Sequence, residues 1–273
     1  MLTRIVAALV FTPLFLAFLL FTPTLVVSGI VAVAAFELMR AVQVKNRLVC
    51  FASCAAAALI PLCYRLQIHS WAVKLVLMGL LVVLFLAAVL TYGTEKAVRV
   101  EQVLFGLFGG VLYPVLMSSL VQLRMLRTDG REPYGLYFVL LPVISAFLTD
   151  TGAYFFGMFF GKHRGIVPVS PKKSVEGFIG GLFAGVLFMT IYGFVLNRFF
   201  VPDVNLLIMA VYGLVGSFVT MLGDLAFSLI KRQYGIKDYG ALIPGHGGML
   251  DRFDSMSFAA PTMYLLVTLL PAL

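Results

Sequence analysis

Four carboxylates, Asp224, Asp238, Asp251 and Asp254, fall within residues 224–254, beside Lys231, Arg232, Lys237, Arg252 and the turn Pro244-Gly245-His246-Gly247-Gly248. The whole chain of 273 residues carries only 12 Asp+Glu and 20 Lys+Arg. Ionisable groups in a predominantly apolar chain are costly to insert and mark places where ions or charged substrates are handled. This cluster is therefore the first candidate for chemistry.

Asp224 and Asp150 each follow a long apolar run, in FVTMLGDLAFSLIKR and FLTDTGAYFFG. Each must face a cavity, a cation or a partner. Asp224, Ser228 and Lys231 stand at i, i+4 and i+7, one face of a helix. A carboxylate, a hydroxyl and an ammonium in one stripe can hold a divalent cation at one end and phosphate oxygens at the other. Asp251 and Asp254, three apart at the expected start of the last helix, would point the same way. Such a pair needs a positive group between its members, a metal ion or Arg252.

The glycine turn is neither a GxxxxGK[ST] loop nor GxGxxG. Its glycines Gly245, Gly247 and Gly248 let backbone N–H groups converge on an anion, or simply form a tight turn. His246 has a supporting role. A second polar loop reads Gly161-Lys162-His163-Arg164-Gly165 and then Ser170-Pro171-Lys172-Lys173-Ser174. Ser170-Pro171 or Ser174 can cap the helix that follows, which would place Lys172 and Lys173 beside a helix amino terminus, where phosphates bind readily.

The elements that must position these groups are membrane helices. Hydrophobic residues make up 62% of the chain, charged residues 12%, and the mean hydropathy is +1.04. Spanning the hydrocarbon takes about 20 apolar residues. The sequence predicts an all-α polytopic membrane protein of about nine spans: Ile5–Phe21, Leu25–Met39, Leu48–Tyr64, Trp71–Tyr92, Val103–Leu123, Tyr134–Phe160, Val175–Leu196, Leu206–Ile230 and Met256–Leu270. The first reads as a retained helix rather than a cleaved leader, because Thr22-Pro23-Thr24 has no small-x-small pattern; the alternative is one long kinked helix with the second. Under nine spans, one side collects 14 of the 20 lysines and arginines. The bias places the amino terminus and both polar loops in the cytoplasm and the carboxyl terminus outside. The net charge of +8 is then explained by anionic headgroups and phosphorylated substrates, with no nucleic acid. Cys50, Cys54 and Cys63 share one apolar segment and suggest neither a disulfide nor a zinc site. Glycines spaced by four, at Gly106 and Gly110, at Gly157 and Gly161, and at Gly177, Gly181 and Gly185, suit close helix approach in lipid. Pro114, Pro142 and Pro261 mark kinks.

Ser228-Leu229-Ile230-Lys231-Arg232, Lys237-Asp238 and Ile243-Pro244-Gly245-His246-Gly247-Gly248-Met249-Leu250-Asp251-Arg252-Phe253-Asp254 together closely resemble the signature of the phosphatidate cytidylyltransferases, or CDP-diacylglycerol synthases. The likeness extends to the Asp150 and Lys172-Lys173-Ser174 regions, while the first four or five helices contribute little to it. It implies transfer of a cytidylyl group from CTP to phosphatidic acid with Mg²⁺, with scope for a second cation, at the cytoplasmic face of the cell membrane by a homodimer. On that implication, residues 1–132 are structural membrane helices offering dimer contacts, and 133–273 are the catalytic membrane region. Asp224 and Asp251 would hold metal, with Asp254 or Asp238 beside them and Asp150 as a further ligand. Lys172, Lys173, Ser174, Lys231, Lys237 and Arg252 would engage phosphates with the Gly245–Gly248 turn. Two competing readings are a CTP-dependent polyprenol or other lipid kinase, and an ion-coupled transporter with Asp150 and Asp224 as coupling carboxylates.

Overall fold

The computed structural model describes residues 23–126, 134–165, 167–240 and 247–272. The expected first span, Ile5–Phe21, lies outside them, as do Gly245 and His246. Eight helices cover most of the described chain: α1 (Pro23–Ala41), α2 (Arg47–Arg65), α3 (His69–Leu90), α4 (Val100–Met125), α5 (Gly135–Phe160), α6 (Val175–Phe199), α7 (Leu206–Gln233) and α8 (Leu250–Leu269). The protein is an all-α polytopic membrane protein. Among the described residues seven helices, α1 to α7, are long and apolar enough to cross a membrane, and they coincide with the second to eighth expected spans. Helix α8 forms where the ninth was expected, but Asp251, Arg252 and Asp254 at its start and Pro261 inside it make it less apolar than the rest. Large apolar side chains such as Trp71, Val89, Phe159, Phe183 and Leu207 stand exposed, as hydrocarbon contact requires.

Local sequence explains where the helices start and bend. Asn46 caps α2, its side chain accepting the N–H groups of Leu48 at 2.9 Å and Val49 at 3.4 Å. Helix α4 contains a π-helical turn at Phe108–Leu112, closed by the N–H of Tyr113 donating to the carbonyl of Phe108. Pro114 follows directly and has no N–H to donate, so the ladder is interrupted there and the wider turn absorbs the mismatch.

The chain divides into two compact units. The first comprises the described residues of Met1–Pro133 with Gln233–Phe253, and the second Tyr134–Arg232 with Asp254–Leu273. Within the first, α1, α2 and α4 approach closely: a Cβ added at Gly110 would meet the Ser53 carbonyl at 3.2 Å, and one at Gly109 the Leu38 side chain at 3.1 Å. Buried Gln102 at the start of α4 donates through Nε2 to the carbonyls of Val42 at 3.0 Å and Gln43 at 3.1 Å, fixing the end of α1.

In the second unit α5, α6 and α7 meet along small residues. A Cβ at Gly157 would lie 3.6 Å from Gly177 Cα, and one at Gly181 3.1 Å from Ala153 Cβ and 3.2 Å from Met221 Sδ. Gly185 faces the Gly213 carbonyl on α7 at 3.1 Å in the same sense. The four-residue glycine spacing is used as membrane packing uses it, to bring backbones together.

Candidate active site

Each unit holds its own group of carboxylates. In the second unit, Asp224 lies on α7, nine residues before its end, and forms an ion pair with Lys173. Asp224 is 28% and Lys173 37% exposed at the side chain. Asp150 on α5 is within electrostatic reach of Asp224, Asp254 and Lys173. The approach of α7 to α8 is set by Gly223, where a Cβ would sit 3.0 Å from the Phe258 ring and 3.2 Å from the Asp254 carbonyl. Asp254 is buried, and its Oδ1 accepts the N–H of Ser255 at 2.7 Å and its hydroxyl at 3.3 Å. The continuous helix α7 places Ser228 and Lys231 on the Asp224 face, the stripe read from their spacing.

Lys173 reaches Asp224 from a loop folded back on itself. Ser174 caps α6, its Oγ accepting the Gly177 N–H at 3.1 Å, one of the two caps expected from sequence. Arg164 pairs with Ser174 in an antiparallel bridge, and the Glu176 carboxylate contacts His163 Nδ1 at 2.5 Å and accepts the His163 N–H at 3.3 Å. Arg232, at the end of α7, donates through Nε to the Val169 carbonyl at 3.4 Å. Lys172 remains exposed beside Lys173. A basic loop at a capped helix start, joined to an intramembrane carboxylate, is equipped to receive phosphates.

In the first unit Asp251 is a loop anchor. Its Oδ2 accepts the N–H of Tyr239 at 2.7 Å and of Gly248 at 3.0 Å. Gly247 has φ +81°, which a residue with a Cβ rarely adopts, and a Cβ there would also lie 3.2 Å from Asp251 Oδ2. The second carboxylate is one that sequence reading passed over: Glu37, buried on α1. Its two oxygens accept the N–H of Met249 at 2.9 Å and of Leu250 at 2.8 Å. The signal available was that Glu37 is the single acidic residue of the second expected span. The expected anion nest is thereby altered. The N–H groups of Gly248, Met249 and Leu250 are held by protein carboxylates, so Gly248 does not offer its N–H to a phosphate in this arrangement. Lys237, Asp238 and Arg252 are exposed.

The donor chemistry suits a hard cation: Asp150, Asp224 and Asp254 are carboxylates in mutual influence with one lysine among them. Among the described residues no group of three or more His, Cys, Asp or Glu side chains is assembled closely enough to hold a metal ion.

The model of the cytidylyltransferase family matches residues 2–270. This chain belongs to the cytidylyltransferase family. Among curated relatives, a phosphatidate cytidylyltransferase of Staphylococcus epidermidis is 31% identical over 260 residues, covering 92% of this chain and 95% of that protein. The protein of the same name from Staphylococcus aureus (strain COL) is 42% identical over 135 residues, and its counterpart in Staphylococcus haemolyticus 41% over 134. These two matches span 49% of this chain and about half the length of each relative, 50%.

Proposed function

We propose that this protein is a phosphatidate cytidylyltransferase, forming CDP-diacylglycerol and pyrophosphate from CTP and phosphatidic acid at the cytoplasmic face of the cell membrane. The observation that carries the reading is the ion pair between Lys173, in a basic loop, and Asp224, on a membrane helix. It joins an ammonium suited to phosphate to a carboxylate suited to a metal ion, the two kinds of group that the reaction would need side by side. The full-length relative from S. epidermidis, which carries that activity as its name, supports the same substrates.

An oxygen of the lipid phosphate, already ionised at neutral pH, attacks the α-phosphorus of CTP. The bond from that phosphorus to the α,β-bridging oxygen breaks, and pyrophosphate leaves with the electron pair. No strong protein base is needed; the chain has to position two anions and offset their charge. Lys172 and Lys173 hold nucleotide phosphates. Lys231, following Asp224 on the same helical face, contributes further positive charge. Asp224 would hold Mg²⁺ together with substrate phosphate oxygens, with Asp150 and Asp254 as neighbouring carboxylates rather than a complete protein cage; when bound, the ion supplies charge neutralisation to the transferring phosphate. Asp251 acts as the anchor of the glycine turn, with His246 in a supporting role. Assembly as a homodimer belongs to the same reading.

The test is lipid analysis after incubating purified protein with CTP, phosphatidic acid and Mg²⁺. Label from the α-phosphate of CTP is expected in the lipid. Label from the γ-phosphate would identify a lipid kinase instead, and no lipid product with demonstrable ion-coupled flux would identify a transporter.

A further inference from the structure

Glu37 is buried within an apolar helix, yet its partners are backbone groups more than two hundred residues away in sequence, at 249 and 250. Those N–H groups stand at the start of α8, where a helix leaves donors without internal partners and attracts an anion. A free phosphate would be drawn to such a point; here a protein carboxylate occupies it. The fit leaves no spare room. A Cβ added to Gly248 would come 2.6 Å from both carboxylate oxygens of Glu37, and one added to Gly240 would collide with its Oε1. Gly248 does not have a positive φ, so the requirement for glycine at 248 comes from Glu37 and not from backbone conformation. Asp251 then fixes the same segment from the other direction, through Gly248 and Tyr239.

We propose that Glu37 is a positioning residue for the cytidylyl-transfer site: it holds Gly248 and the first turn of α8 in the conformation in which Arg252 serves substrate. This rests on the proposed reaction. Glu37 touches no reacting atom and acts through the backbone of Met249 and Leu250. A carboxylate is required because both of its oxygens accept. Glutamine would present an NH₂ group to one of two N–H donors and lose that bond while keeping the volume.

The test uses the purified full-length Glu37→Gln protein in the membrane mimetic that supports wild-type folding, with two readouts. Amide hydrogen exchange over residues 247–253 is expected to accelerate, with exchange in the rest of the chain unchanged. The turnover number for CDP-diacylglycerol formation is expected to fall by about 10- to 100-fold, while KM for phosphatidic acid stays within about twofold, the pattern of lost alignment rather than lost binding. A second pair of variants covers the case in which Glu37→Gln does not fold. Gly248→Ala should show the same loss, and Glu37→Asp, one methylene shorter, should restore part of the activity in the Gly248→Ala background. Unchanged exchange and turnover in Glu37→Gln, or a Gly248→Ala defect that Glu37→Asp leaves untouched, overturns the assignment. A wild-type protein that forms no CDP-diacylglycerol overturns the proposed reaction instead; exchange at 249 and 250 then still decides whether Glu37 holds the turn.

Discussion

Lys173 is ion-paired with Asp224, joining the loop before α6 to the membrane helix α7. Both side chains are partly exposed, so the pair adds only about 0–1 kcal/mol to stability. On the proposed reaction its importance is chemical, because it keeps an ammonium and a carboxylate facing one another. Asp224→Asn is therefore expected to lower cytidylyl transfer by at least about 100-fold with little change in the unfolding temperature in detergent. Substantial activity in that variant would remove Asp224 from the site.

Replacing Lys173 should behave differently. In Lys173→Ala the carboxylate survives but the cation proposed to bind phosphate is lost, so KM for CTP is expected to rise more than KM for phosphatidic acid. Steady-state kinetics with each substrate varied in turn separate the two effects, and Lys173→Arg should recover part of the loss because the charge returns.

Removal of divalent cations with a chelator is expected to stop pyrophosphate release, and Mg²⁺ to restore it. The donors on the protein are few and already partly occupied, which predicts that the ion binds much more tightly with CTP present than alone. Titration calorimetry with and without a non-hydrolysable CTP analogue reads this directly; equal affinities would argue for a site built wholly by the protein.

Ser174 has a narrower role. Its Oγ accepts the Gly177 N–H, and losing such a cap costs about 1 kcal/mol. Ser174→Ala should lower thermal stability by about that amount, and Ser174→Asp, which can also cap, should recover it.

The glycine seam makes a stability prediction. At Gly181 a Cβ would already lie 3.1 Å from Ala153 Cβ and 3.2 Å from the Thr149 carbonyl, so Gly181→Leu would force α5 and α6 apart. Overpacking of this kind costs about 1–3 kcal/mol or more. The expected result is a reduced yield of monodisperse protein by size-exclusion chromatography and a lower unfolding temperature.

The sequence was informative where a local pattern carries the structure. Seven spans, the Ser174 cap, the Asp224–Ser228–Lys231 face and the close approach at Gly157, Gly177 and Gly181 all depend on spacing within one element or on residue size. Tertiary pairings were less legible. Lys173 was read as a phosphate ligand with no hint of its pairing with Asp224, and the reading of Asp251 as a metal ligand gave no hint that its Oδ2 accepts from Tyr239 and Gly248. Glu37 was missed because a single glutamate near basic Arg40 looks like an end-of-helix charge. Only the folded chain shows that it turns inward. The π-helical turn before Pro114 likewise depends on how the ladder accommodates a missing donor, which residue spacing does not reveal.

The contact between Glu37 and the start of α8 also orders the assembly of the protein. Its partners are separated by 212 and 213 residues, so during synthesis α1 is in the bilayer long before Met249 and Leu250 leave the ribosome. Until then Glu37 is without the two backbone donors that it accepts from in the complete chain. The start of α8 can thus be tied to α1 only when nearly the whole chain has been made.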